Sequence, residues 1–164
     1  MLTLYLVRHA RAMAIAASDK ERELTKEGRD DATRLGALFA DKFAQPDHVI
    51  CSSALRTQQT FQLMRDAGLA ARSDEVLDGL YDASPAFLFD AIRTQEAQSL
   101  LVIGHNPALA ILLNRLVAED DIAPNLMHFP TATMAKISFD ETSFKALSET
   151  ADGHLKSLVR GSEL

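Results

Sequence analysis

The chain is poor in cysteine, has no basic excess, and lacks any long run that is both apolar and uninterrupted. Each shortage removes a class of protein. A lone Cys51 cannot close an internal disulfide or build a thiolate metal cluster, and it is compatible with a reducing compartment. With 23 acidic against 17 basic residues and a formal net charge of −6, no basic face is available to counter a nucleic acid backbone. No basic segment precedes the apolar run Leu2 to Val7, which is too short and too soon followed by charge to be a signal peptide. Leu100 to Asn114 carries no acid, lysine or arginine, but Gly104, His105, Asn106 and Pro107 interrupt it, so it does not span a bilayer. The expectation is a cytoplasmic protein whose partners include neither nucleic acid nor membrane.

What remains is a chain of 164 residues, 47% of them apolar, the size of one domain with one core over residues 1–164. Leu2 to Val7 reads as a strand buried on both faces. Met13 to Glu23 has no clean period and reads as loop. Thr25 offers a helix N-cap, followed by Ala32, Leu35, Gly36, Phe39 and Phe43 at helical spacing, and the helix ends before Pro46. His48 to Cys51 is a second strand, after which Ser52 and Ser53 offer caps for a helix carrying Leu55, Phe61, Leu63 and Met64 up to Gly68. Glu75 to Leu80 is ambiguous. Ser84-Pro85 starts a helix running to about Gln95, and Leu100 to Ile103 is a further buried strand.

Asn106-Pro107 reads as an N-cap with a first-turn proline, and Leu109, Leu112, Leu113, Leu116 and Val117 mark the buried stripe behind it. Met134 to Phe139 and Phe144 to Leu147 read as a closing strand pair around a turn at Asp140 to Thr142. The polar tail, residues 151–164, reads as loosely held, with Leu155, Leu158 and Val159 able to dock a final turn. Alternating strands and helices predict an α/β fold, a three-layer α/β/α sandwich around a largely parallel sheet.

In such sheets ligands bind outside the carboxyl ends of the strands. The first strand ends in Arg8-His9, the second leads to Arg56 in a first helical turn, and Leu100 to Ile103 runs into Gly104-His105-Asn106-Pro107. Taken singly, a strand-end histidine is usually structural and a first-turn arginine usually solvated. Together, two arginines, two histidines and two helix N-termini make a natural site for a dianionic phosphate. No His-Glu-x-x-His spacing competes with that reading.

The segments LYLVRHARA, CSSALRTQQT and LVIGHNPAL resemble the three signature segments of the histidine phosphatase superfamily, whose pattern is Arg-His-Gly, then Ser-x-x-x-Arg-x-x-x-Thr, then a late Gly-His or Ser-His turn. The short chain and the segment ERELTKEG make it most similar to SixA-type phosphohistidine phosphatases. The resemblance implies a phosphoglycerate mutase-like fold and an enzyme that needs no metal and no cofactor. It makes His9 the nucleophile that carries a phosphohistidine intermediate. Arg8, Arg56 and His105 then hold the phosphoryl oxygens, with Arg22 and Asn106 as secondary substrate contacts. Arg22 is as readily a solvated loop residue, and Asn106 reads first as a helix cap. The nucleophile needs a main-chain acceptor for its other ring nitrogen. Ala10 stands where the family usually has glycine, and Arg11 has no counterpart in the pattern.

Mutases and broad phosphatases of the superfamily carry a carboxylic acid shortly after the third strand, for the leaving alkoxide. In EVLDGLYDAS the matching position is Gly79, with Asp78 and Asp82 near it but out of register. An alkoxide is about as basic as hydroxide, with a conjugate acid pKa of about 15.7, and needs a proton as it leaves. An imidazole leaving from phosphohistidine is far less basic, with a conjugate acid pKa of about 6.5. The missing acid and the short segments between motifs point to a phosphohistidine displayed on another protein, such as a histidine-phosphotransfer domain. A small phosphorylated substrate is the alternative. Two rivals stand beside these: a cysteine phosphatase, for which Cys51 and Arg56 are one residue too close, and a phosphate-binding module without turnover.

Overall fold

A computed structural model describes residues 1–121 and 128–164. Six strands form one sheet: β1 (Leu2–Arg8), β2 (His48–Ser52), β3 (Ser73–Leu77), β4 (Ser99–Gly104), β5 (Thr133–Phe139) and β6 (His154–Arg160). Their order across the sheet is β3-β2-β4-β1-β5-β6. The first four of these run parallel, β5 is antiparallel to β1, and β6 is antiparallel to β5. The expected α/β architecture with a largely parallel sheet is present.

Side chains of successive strand residues point to opposite faces, and that alternation divides the core in two. Leu2, Leu4, Leu6, Leu100 and Val102 meet Leu88, Phe89 and Ile92 of α3 (Pro85–Arg93) and the leucines of α4 (Ala108–Leu116). Tyr5, Val7, Val49, Cys51, Leu101 and Ile103 meet Ala32, Leu35 and Phe39 of α1 (Lys26–Asp41) and Phe61 and Met64 of α2 (Leu55–Asp66). Thr25 caps α1, its hydroxyl oxygen accepting from the Gly28 amide at 3.0 Å. Ser84 caps α3 in the same way. Among the described residues no helix is long and apolar enough to cross a membrane.

Three expectations are corrected. Phe144–Ala146 forms a 3-10 turn rather than a strand, because Phe144 and Leu147 are needed as plugs against α3 and α4. The closing strand is instead β6, inside the segment read as a loose tail. A register shift between Lys136 and Ile137 lets Leu155 pack against one core and Val159 against the other, which anchors an edge strand of little apolar content. Finally, α2 begins after Ala54 without a side-chain cap, since the Ser52 and Ser53 hydroxyls are engaged elsewhere.

Candidate active site

Arg8 is the last residue of β1 and pairs in register with Gly104, the last residue of β4, while Cys51 of β2 pairs with Ile103. Three neighbouring parallel strands therefore stop side by side, and Arg8, His9, His105 and the first-turn Arg56 converge there. They line a cavity of about 400 Å³ together with Asp19 and Tyr81.

His9 is buried, with Nδ1 2.7 Å from the Ala10 carbonyl oxygen. A carbonyl can only accept, so Nδ1 carries the proton and Nε2 keeps the lone pair. The Arg56 Nε–H donates to that Nε2 at 3.3 Å. The Ala10 carbonyl is itself fixed: the Ala10 amide donates to Thr60 Oγ1 at 3.0 Å, and the Thr60 hydroxyl donates to the Arg56 carbonyl at 2.7 Å. Ala10 lies outside the left-handed region and its methyl is buried in the core beneath, so this loop does not require glycine. Burial drives the His9 pKa down to about 3, helped by the charges of His105, Arg56 and Arg8 and opposed by the Ala10 hydrogen bond.

His105 faces His9 with ring centroids 5.3 Å apart. Its Nε2 is 2.7 Å from Ser52 Oγ, and its Nδ1 lies 3.5 Å from an Arg56 Nη2 donor. Burial and then Arg56 bring its pKa down to about 4, with Asp19 pulling the other way. Both imidazoles are neutral at neutral pH. The positive charge comes from Arg8 and Arg56. Arg8 donates from Nη1 to the Phe129 carbonyl at 3.3 Å, and its buried Nε has no partner among the described residues.

The weaker candidates divide. Arg22 reaches the cavity wall, but its Nε donates to the Met13 carbonyl at 2.7 Å and its Nη1 to Asp19 Oδ1 at 3.0 Å. Asn106 also lines the cavity yet is not the helix cap it was read to be. Its amide donates to the Phe129 carbonyl at 2.9 Å and ties that segment to the site, and Pro107 occupies the cap position. Arg11, expected in solvent, lies exposed on the cavity rim.

No carboxylic acid stands where the family pattern would put one. Gly79 has no side chain to offer, and a β-carbon built there would meet the tip of the half-exposed Phe87 ring at 2.5 Å. Asp78 points away, held by Lys20 and Ser53 at 2.6 Å each, which keeps its carboxyl below the usual carboxylate range. Asp82 does line the cavity, with φ of 88°. Asp19 was not read from the sequence. It is held by the Tyr81 hydroxyl and Arg22, which keep its carboxyl far below the usual range and hence charged. Ser52 and Thr60 belong to the Ser-x-x-x-Arg-x-x-x-Thr spacing, so their signal was there. Asp19 and Tyr81 lie in loops that carry none.

The rival nucleophile is withdrawn: Cys51 is buried against α1 and α2, outside the cavity wall, and burial pushes its thiol up to about 12. Among the described residues no group of three His, Cys, Asp or Glu side chains is placed to hold a metal ion.

Residues 4–82 match the family model described as histidine phosphatase superfamily (branch 1). Phosphohistidine phosphatase SixA of Escherichia coli K12 is 29% identical over 145 residues, which are 86% of this chain and 88% of that one. An uncharacterized protein of Mycobacterium tuberculosis is 31% identical over 137 residues, 79% of this chain and 84% of its own. Among solved structures, a Nakamurella multipartitia protein assigned to phosphohistidine phosphatase SixA superposes with a TM-score of 0.80 at 28% identity, covering 96% of this chain and 95% of that one.

Proposed function

Since this chain belongs to the histidine phosphatase superfamily and is a phosphatase, we propose that it removes phosphate from protein phosphohistidine, with His9 as nucleophile and without a metal. The observation that carries this reading is the His9 imidazole itself. Its Nδ1–H is committed to the Ala10 carbonyl, and its Nε2 lone pair faces the Arg56 and His105 side chains that would surround a phosphorus atom.

In the first step the N–P bond of the substrate breaks as a bond forms between phosphorus and His9 Nε2. The substrate ring, protonated on its other nitrogen, leaves as neutral imidazole with the electron pair. Arg8 and Arg56 hold the equatorial oxygens, whose charge is largely what such a transition state asks a protein to stabilise. His105 lines the same cavity and gives the phosphoryl group a further polar contact. Water then attacks the phosphorus of phospho-His9, releasing inorganic phosphate and the free imidazole.

The substrate class follows from the leaving group. Gly79 has no side chain, Asp78 is held by Lys20 and Ser53, and Asp19 stays ionised, so none of these supplies the proton an alkoxide requires; Asp82 also lines the cavity, and turnover of an alkyl ester decides whether it serves as the acid. The SixA relatives at 28–29% identity support the same class. The direct test compares turnover of a phosphohistidine-bearing protein with that of an alkyl phosphate monoester. The N–P substrate should be hydrolysed faster by at least about two orders of magnitude, the range general acid catalysis typically supplies, and an alkaline quench should trap an acid-labile phosphoryl group on His9. Comparable rates on the ester would make this a small-molecule phosphomonoesterase. Full turnover by His9→Ala would remove the covalent route.

A further inference from the structure

A guanidinium carries five N–H donors in one plane, and those of Arg56 are divided between two sides. Its Nε–H reaches His9 Nε2 at 3.3 Å and one Nη2 donor faces His105 Nδ1 at 3.5 Å, on the side where the phosphoryl group would lie. The other side is gripped twice by a single residue. Nη1 donates to the Asp19 carbonyl oxygen at 2.9 Å, and Nη2 donates to Asp19 Oδ2 at 3.2 Å. Asp19 is held in turn from outside: Tyr81 donates to Oδ2 at 2.5 Å and Arg22 to Oδ1 at 3.0 Å. The Arg56 side chain is 8% exposed and that of Asp19 54%. A half-exposed carboxylate contributes little as a charge partner. Its main-chain and side-chain grip still leaves the guanidinium one orientation.

We propose that Asp19 is a positioning residue for phosphoryl transfer, holding the outer edge of Arg56 so that its Nε–H and inward Nη2–H are aimed at the phosphoryl oxygens. The proposal rests on reading His9, Arg56 and His105 as the phosphoryl cage. On substrate binding those two donors exchange His9 Nε2 and His105 Nδ1 for phosphoryl oxygens, while the two bonds to Asp19 persist. The fork therefore needs no reordering at the moment of transfer, and rotamer freedom that a loose arginine would lose then is already lost. Asp19 gives and takes no proton. Tyr81 and Arg22 act one step further out, keeping the carboxylate where Arg56 meets it.

A residue that acts through Arg56 has nothing to act on once Arg56 is gone. The test is a double-mutant cycle on the full chain, read in kcat/KM for a phosphohistidine protein and in the calorimetric Kd for inorganic phosphate. Asp19→Ala should lower kcat/KM and weaken phosphate binding by about 10-fold, given how strongly small misplacements cost positioned groups. Asp19→Asn, which keeps an acceptor oxygen, should recover part of the loss. In an Arg56→Ala background, Asp19→Ala should change either quantity by less than about 2-fold. Tyr81→Phe offers a milder probe and should cost about 3-fold, only while Asp19 is present. An undiminished loss in the Arg56→Ala background, an Asn variant as poor as Ala, or no loss from Asp19→Ala would each overturn the proposal. If the wild-type chain failed on phosphohistidine, the functional reading would fall while the phosphate Kd values still decided the role of Asp19.

Discussion

Burial settles the charge of His9 before its neighbours are considered. An imidazolium withdrawn from water loses solvation, and the pKa of His9 falls to about 3 and that of His105 to about 4. The unfolded chain protonates both near pH 6.5. Between those values the unfolded state binds more protons than the folded one, so stability is fully present above pH 6.5 and declines as pH falls toward 4. Denaturant unfolding should lose on the order of 1 kcal/mol per pH unit per histidine across that window. His9→Asn should flatten the slope by about half. An unchanged slope in that variant would mean that His9 is not held neutral by the fold. At this scale the sequence was most legible where chemistry demands a residue type: Arg8, His9, Arg56 and His105 stand at strand ends and meet in one cavity. The acceptor for Nδ1 was not legible, because a carbonyl belongs to every residue and only the chain path selects that of Ala10.

Helix α1 lies on α2 without side chains between them at Gly36. A β-carbon there would collide with the carbonyl and Cα of Met64, so the contact is backbone on backbone. Alanine is favoured over glycine in a helix interior by about 1 kcal/mol, but overpacking a tight contact costs about 1–3 kcal/mol. Gly36→Ala should therefore lower stability by up to about 2 kcal/mol in urea unfolding; a gain would show that the helices part freely. The periodic stripes of α1 and α4 were readable because their inner faces are apolar throughout. That of α2 misled. Leu55 and Leu63 are only half buried, while Arg56, Thr57 and Thr60 turn inward, because this helix starts at the cavity and its inner face serves the site. The serines before it were read as caps. One hydroxyl instead meets His105 and the other Asp78, which no local propensity encodes.

Across the whole molecule, the segment read as loose turns out to support the site. Strand β6 completes the sheet on β5, and beyond it the Gly161 amide donates to the Ala132 carbonyl at 2.8 Å. The Ala132 amide in turn donates to the His9 carbonyl at 3.0 Å. Removing residues 151–164 should cost at least about 3 kcal/mol, lowering Tm by roughly 6 °C or more, and hydrogen exchange should quicken at Ala132 and the loop after β1. An unchanged Tm would return the tail to its loose reading. By itself the sequence determined the α/β layering, since hydrophobic periods of two and 3.6 residues are local properties of the chain. It also determined the chemistry on offer, since only certain side chains attack or clamp phosphate. Tertiary structure alone decided that Lys20 and Ser53 hold Asp78 and that a tail of alternating polarity becomes an edge strand. It alone brought Asp19 to the outer edge of Arg56, residues 37 positions apart, and Tyr81, a further 62 from Asp19, behind it. These are contacts between surfaces that meet only after folding, and their geometry depends on loop paths that no periodicity records.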